Sequence, residues 1–115
     1  MSVLTQRFAI SITSHIKHGH SRSSFYLNGL IDRLTIDEVK SIESITEGDL
    51  SQYMNEDKTE LNVTDTEDFR GRVVSEFGDM ISKNELTNFF NGFSDERIIE
   101  ISDGVKADYQ STYGA

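Results

Sequence analysis

Thr66–Ser82 of this chain read TEDFRGRVVSEFGDMIS, and apolar side chains recur through them at intervals of three and four residues. Since an α-helix turns once every 3.6 residues, this spacing puts the apolar side chains on one face. Pairs of opposite charge also lie four residues apart, namely Asp68 with Arg72, Arg72 with Glu76, and Asp79 with Lys83. Such pairs stabilise a helix. The stretch therefore predicts an amphipathic helix whose inner face consists of Phe69, Val73, Val74, Phe77, Met80 and Ile81.

Further helices are predicted on both sides of this stretch from their opening signals. Thr35 is followed three residues later by Glu38, and Ser82 by Glu85, which is the spacing of a capping box. We expect one helix after Thr35 and a short one after Ser82 that carries Leu86, Phe89 and Phe90. A helix from Ser24 to about Leu34 is also predicted, and Ser94 or Asp95 opens the last one, with Ile98, Ile101, Val105 and Tyr109 on its inner side.

The first 20 residues fit two patterns. Phe8, Ile10 and Ile12 alternate as in a half-buried strand, whereas Leu4, Phe8, Ile12 and Ile16 fall four apart as in a helix. We favour the strand, with Leu61 and Val63 in the polar loop 55–65 as its partner. The predicted fold class is then α+β and mostly helical, with about five helices and a short N-terminal strand element; an all-α fold is the alternative.

Composition limits the class of protein. A chain of 115 residues has the commonest size of one domain, so residues 1–115 are predicted to form a single domain. The absence of cysteine excludes disulfides and thiol chemistry. No run of apolar residues approaches the length of a membrane span. We therefore expect a soluble, cytoplasmic protein, although an N-terminus that contains Arg and Ser but no acid is also typical of transit peptides.

Charge is distributed unevenly along the chain. The net charge is −9, yet the first 31 residues contain no Asp or Glu and carry Arg7, Lys17 and Arg22. All 20 acidic residues therefore follow, together with the other 8 basic ones. A negative surface of this strength attracts basic proteins and repels nucleic acids themselves.

Motifs for catalysis, metals and cofactors are missing from the sequence. It has no nucleophile elbow, no phosphate-binding glycine loop and no dinucleotide fingerprint, so we predict no enzyme activity, no catalytic residues and no cofactor. His15, His18 and His20 lie within six residues of one another, but no carboxylate lies nearby in the sequence to complete a metal shell. We predict no metal site and leave open whether these histidines bind a metal.

The predicted partner-binding residues are Asp95, Glu96, Glu100 and Asp103 on the last helix. Like charges at this spacing destabilise a helix, and we expect no lysine or arginine on that stripe to relieve them. The predicted function is that of a small acidic, non-enzymatic protein that binds a basic protein and inhibits it by imitating nucleic-acid charge. A nucleic-acid-binding protein is the kind of partner that this predicts. The alternative is a structural or adaptor subunit that docks through exposed Phe90 and Phe93. The partner's identity and the oligomeric state, including a homo-oligomer, stay open.

Overall fold

The computed structural model describes residues 2–18 and 21–114, with the side chains of residues 21–24 excepted. Within these ranges the chain forms six α-helices: α1 (Val3–His18), α2 (Ser21–Asp32), α3 (Ile36–Thr46), α4 (Thr66–Ser82), α5 (Leu86–Phe90) and α6 (Asp95–Tyr113). A 3₁₀ turn covers Ser51–Tyr53. The chain groups into two compact units: unit 1 comprises Met1–Arg33 with Leu86–Ala115, and unit 2 comprises Leu34–Glu85. None of the described helices is both long enough and apolar enough to cross a membrane.

The predicted N-terminal strand is wrong, because residues 3–18 form helix α1. Its buried residues, Thr5, Phe8, Ala9 and Ile12, follow helical spacing. Ile10 decides between the two patterns: a strand would place it on the same face as Phe8 and Ile12, yet 69% of its surface is exposed. The all-α alternative is therefore the one that agrees with the described residues, which contain no β-strand.

Unit 1 is built around three long helices. Ser2 donates a hydrogen bond to Asp95, so α1 and α6 begin at the same end of the unit. Helix α2 runs in the opposite direction, since the ring of Phe25 near its start packs on Tyr109 late in α6. At the other end of α2 the backbone carbonyl of Arg33 accepts a hydrogen bond from the guanidinium of Arg97, near the start of α6. Helix α2 therefore runs antiparallel to α6.

Glycines allow α2 and α6 to approach each other closely. A Cβ on Gly29 would lie 2.8 Å from a methyl carbon of Val105, and a Cβ on Gly104 would lie 2.6 Å from Nε of Arg33. Real Cβ atoms essentially never come within 3.0 Å of another heavy atom. The pair of helices is therefore packed at a separation that larger residues at these two positions would disturb.

A cluster of phenylalanines fills the space between α1 and α5. The rings of Phe8 and Phe90 meet edge to face with centroids 5.0 Å apart, and Phe93 packs on both Phe89 and Phe90 at 5.2 Å. Phe90 is fully buried and Phe93 nearly so. The prediction that Phe90 and Phe93 are exposed is therefore wrong, since both belong to the core.

In unit 2, α3 and α4 begin as the sequence predicts. Thr35 caps α3 and forms the reciprocal capping box with Glu38. Helix α4 spans Thr66–Ser82 and is capped by the Asp65 side chain, which accepts from the backbone N–H of Asp68. The buried residues of this unit come from both helices, from the segment between them and from the residue two positions before α3: Leu34, Val39, Ile42, Leu50, Tyr53, Met54, Phe69, Val73, Phe77 and Met80.

Helix α4 ends at Ser82 as predicted, but the start of the next helix differs from the prediction. Ser82 does not open a helix but is the last residue of α4, and its hydroxyl donates to the carbonyl of Gly78. Asn84 takes the left-handed conformation with φ of 58°, while the N–H of Glu85 reaches back to the carbonyl of Met80 at 2.7 Å. This is a Schellman ending, in which asparagine replaces the usual glycine. Helix α5 then begins at Leu86 without the predicted capping box.

The polar segment between the helices of unit 2 turns back on itself. Leu61 pairs with Met54 in an isolated antiparallel bridge, not with an N-terminal strand as predicted. The Asn55 side chain closes the turn by accepting from the backbone N–H groups of Thr59 and Glu60 at 2.8 and 3.1 Å. Tyr53, at the base of this turn, donates to the Asp68 carboxylate at 2.6 Å. The turn is thus fastened to the first turn of α4.

Candidate functional site

The four predicted partner-binding residues all lie exposed on α6, and together they are called the acidic face here: Asp95, Glu96, Glu100 and Asp103. Helix α6 begins because the Ser94 hydroxyl caps the N–H of Arg97. Asp95 and Glu96 stand in the first turn, where negative charge interacts favourably with the helix dipole. Asp95 also accepts a hydrogen bond of 2.8 Å from the hydroxyl of Ser2. These local interactions give Asp95 a structural reason to be there.

Arg97 changes the charge of this face. Its Nη1 lies 2.8 Å from Oε1 of Glu100, three residues along the helix. Its Nη2 donates to the backbone carbonyl of Arg33 at 2.5 Å, which ties α6 to the end of α2. The expectation that no basic residue relieves the stripe is therefore wrong. The relief is partial, because the side chain of Glu100 is 72% exposed and exposed pairs contribute little. Among the described residues, Glu96 and Asp103 form no ion pair.

An exposed apolar residue lies in the middle of the acidic face. Ile99 follows Glu96 by three residues and precedes Asp103 by four, so the three side chains share one side of α6. About half of the Ile99 surface, 49%, is exposed. The neighbouring Ile98 and Ile101 are buried and hold the helix against the core. Ile99 is not among the predicted site residues, although its position one residue off the buried stripe was an available signal.

Helix α1 presents a different exposed surface. Val3 and Ile10 are 64% and 69% exposed, and they lie two helical turns apart on one side. Arg7 and Lys17 are exposed on the same side. Since the first 31 residues contain no acid, this surface of unit 1 is apolar and basic. It contrasts with the acidic face of α6 in the same unit.

A cleft of about 240 Å³ opens where α1, α2 and α6 meet. Its walls are formed by His15 from α1, by two aromatic residues of α2 and by three residues of α6; in chain order they are His15, Phe25, Tyr26, Val105, Lys106 and Tyr109. The Phe25 ring packs edge to face on Tyr109 with centroids 5.6 Å apart. The Tyr26 hydroxyl is 3.3 Å from Oγ of Ser102. The cleft is therefore lined mostly by ring surfaces.

The His15 imidazole is part of one wall of this cleft. It stacks on the Tyr26 ring with centroids 5.0 Å apart and an angle of 22° between the planes. Burial lowers the pKa of His15 below its ordinary value of 6.5, because the imidazolium loses hydration there. Burial therefore favours the uncharged form of the ring, which presents a flat surface to the cleft.

The three histidines do not assemble a metal site in the part of the chain that the structure describes. His15 stacks on Tyr26, and His18 is exposed at the end of α1. His20 lies outside the described residues. Within residues 2–18 and 21–114, no three side chains among His, Asp and Glu converge as metal ligands would.

No family model, curated protein or solved structure matches the chain. The functional argument therefore depends on the geometry of the acidic face and of the cleft.

Proposed function

We propose that this protein is a small acidic, non-enzymatic binding protein whose acidic face docks a basic protein partner. The observation that supports this most directly is the position of Ile99, an exposed apolar side chain between Glu96 and Asp103. Binding surfaces commonly have an apolar anchor at the centre and a polar rim that excludes water from it. In this protein Ile99 is the anchor, and the carboxylates are the rim.

Electrostatics favours a basic partner. The net charge of −9 attracts positively charged surfaces over a long range, and the exposed carboxylates of α6 select among them at short range. A basic cleft that binds phosphates also attracts carboxylates held on a rigid helix. We therefore propose that the partner is a nucleic-acid-binding protein, and that the acidic face inhibits it by occupying its nucleic-acid site.

A competition experiment tests this proposal. Purified basic DNA-binding proteins, including a histone octamer and a helix-turn-helix repressor, are each bound to fluorescent DNA, and the protein is added at low salt while anisotropy reports DNA release. The test variant is Glu96→Gln with Glu100→Gln and Asp103→Asn. The matched control is Glu56→Gln with Asp57→Asn and Glu60→Gln, which removes the same charge from exposed positions in the turn of unit 2.

The two triple variants separate a specific face from general negative charge. We expect the α6 variant to release DNA about tenfold less effectively than the control, because each partly exposed charge contributes roughly 0.2–1 kcal/mol. Ile99→Ser is expected to weaken release by a similar factor without any change of charge. Equal effects of the two triple variants, or no release from any basic protein at low salt, would contradict the proposal.

The adaptor alternative loses the residues first assigned to it, because Phe90 and Phe93 are buried. What favours an adaptor is the exposed surface of α1 with Val3 and Ile10. The acidic face is preferred because its apolar anchor and its charged rim lie together, and because their charge matches that of the chain as a whole.

A further inference from the structure

The cleft of unit 1 combines an aromatic lining with a single charged group. Phe25, Tyr26 and Tyr109 supply ring faces and edges from two different helices. Lys106 is the one lysine or arginine of the lining, and it is exposed. Among the described residues its ammonium forms no ion pair, and Asp108, two residues further along α6, is taken by Arg33 at 2.6 Å. Asp103, three residues before it, is the nearest competing carboxylate in sequence.

The walls of the cleft that belong to α1 and α2 come from the acid-free part of the chain. His15, Phe25 and Tyr26 all fall within the first 31 residues, in which every charged side chain is basic. A chain with a net charge of −9 would repel small anions in general. The lining of this cleft, by contrast, includes no acidic residue and one lysine.

The volume limits the size of the occupant. An apolar cavity of about 150 Å³ is large enough for benzene, whereas drug-sized ligands occupy about 300–1,000 Å³. The cleft, with about 240 Å³, lies between these values and fits one ring with a short substituent. Ring faces favour stacking with a second planar ring.

We infer that this cleft binds a small aromatic carboxylate, with its ring between Phe25, Tyr26 and Tyr109 and its carboxylate on Lys106. The Tyr26 hydroxyl already has a partner in Ser102, and the surface inside the cleft is almost entirely apolar. The exposed Lys106 is therefore the lining residue whose ammonium can meet a charged substituent at the mouth of the cleft. This inference is independent of the proposed role of the acidic face, because the two use different residues of α6.

The test is an NMR titration of the full chain labelled with ¹⁵N, at neutral pH and low salt. Three probes of nearly the same size and shape differ in charge: benzoate, benzyl alcohol and benzylammonium. Ligands this small bind in about the millimolar range. We expect benzoate to shift the backbone amides of His15, Phe25, Val105, Lys106 and Tyr109, and to bind about fivefold more tightly than benzyl alcohol, with benzylammonium weakest.

Single substitutions test separately the contributions of Lys106 and of the aromatic lining to ligand binding. Lys106→Gln is expected to weaken benzoate about threefold to fivefold and to leave benzyl alcohol unchanged. Lys40→Gln is the matched control, since it removes the same charge from an exposed position of unit 2. Tyr109→Leu is expected to weaken benzoate and benzyl alcohol alike, because it removes a ring that both ligands contact. Circular dichroism confirms that each variant is folded.

Several results would overturn the inference. Absence of shifts at the cleft with benzoate, or shifts confined to other parts of the chain, would remove the site. Equal affinities for the three probes, or equal effects of Lys106→Gln and Lys40→Gln, would remove the role of the lysine and with it the assignment to a carboxylate. Benzoate affinity that is unchanged by Tyr109→Leu would show that the ring does not enter the cleft.

Discussion

Replacing Gly29 by alanine tests how closely α2 and α6 pack. In an ordinary helix interior this change is favourable by about 0.5–1 kcal/mol, because alanine loses less backbone entropy on folding. At Gly29 the added Cβ would lie 2.8 and 3.2 Å from the two γ-carbons of Val105, which is itself 2% exposed. Because valine is β-branched and stiff at χ1, it cannot easily rotate away. Overpacking of this kind costs about 1–3 kcal/mol. The net effect is therefore expected to be a loss of stability.

Gly71 provides the matched control. It lies in the interior of α4, and a Cβ there would meet no atom within 4 Å. Gly71→Ala should thus show the entropic gain alone, and the difference in unfolding free energy between the two variants measures the steric cost at Gly29. We expect this difference to be about 1–3 kcal/mol, which corresponds to roughly 4–12 °C in Tm for a chain of this size.

Urea unfolding monitored by circular dichroism measures the free energy of unfolding of both variants. Val105→Ala, alone and combined with Gly29→Ala, completes a double-mutant cycle. Removing the γ-carbons should cost less in the Gly29→Ala background than in the wild type, because it also relieves the overlap. The reasoning is refuted if Gly29→Ala is as stable as Gly71→Ala. It is equally refuted if Val105→Ala has the same cost in both backgrounds.

Two further predictions concern ionisable groups. Since burial lowers the pKa of His15 below 6.5, the unfolded chain takes up its proton first as the pH falls, so stability drops below about pH 6.5 and levels off below the folded pKa. His15→Phe should lessen this drop in Tm more than His18→Gln, and an unaltered pH dependence in His15→Phe would contradict the assignment. Tyr53→Phe removes the 2.6 Å bond to Asp68 and should cost about 1–2 kcal/mol in urea unfolding; unchanged stability would argue against that bond. Burial and this hydrogen bond also raise the pKa of Tyr53 above its ordinary value of 10.0, so absorbance titration of the variant should lack a phenol that ionises late.

Local signals predicted the helices of unit 2 well, because their caps and apolar faces depend on residues that are close together in the sequence. The bounds of α4, the Thr35 capping box and the pair Arg72 with Glu76 all agree with the structure. The start of α5 was misjudged because the serine and glutamate spacing of a capping box recurs where Asn84 in fact closes the preceding helix. Asparagine tolerates the left-handed conformation, and this was the signal that identified the end.

The N-terminal helix was misjudged because short apolar runs fit both periods, and tertiary packing decides between them. The ring of Phe8 packs on Phe90 of α5, whereas Ile10 remains exposed. The cleft could not be predicted from the sequence, because it also depends on tertiary packing. Its walls come from α1, α2 and α6, and nothing in the sequence shows that His15 and Tyr109 line one cavity. The prediction of a single domain over residues 1–115 stays a prediction.

The interrupted order of unit 1 along the chain has a consequence for biosynthesis. Its first two helices emerge from the ribosome long before α5 and α6, while the whole of unit 2 is made in between. Until then Phe8 lacks its partner Phe90, and Gly29 lacks Val105. Unit 2 can complete its contacts from a continuous stretch, whereas unit 1 must close a long loop first. Until α5 and α6 are made, the apolar sides of α1 and α2 therefore lack these partners and are accessible to a chaperone.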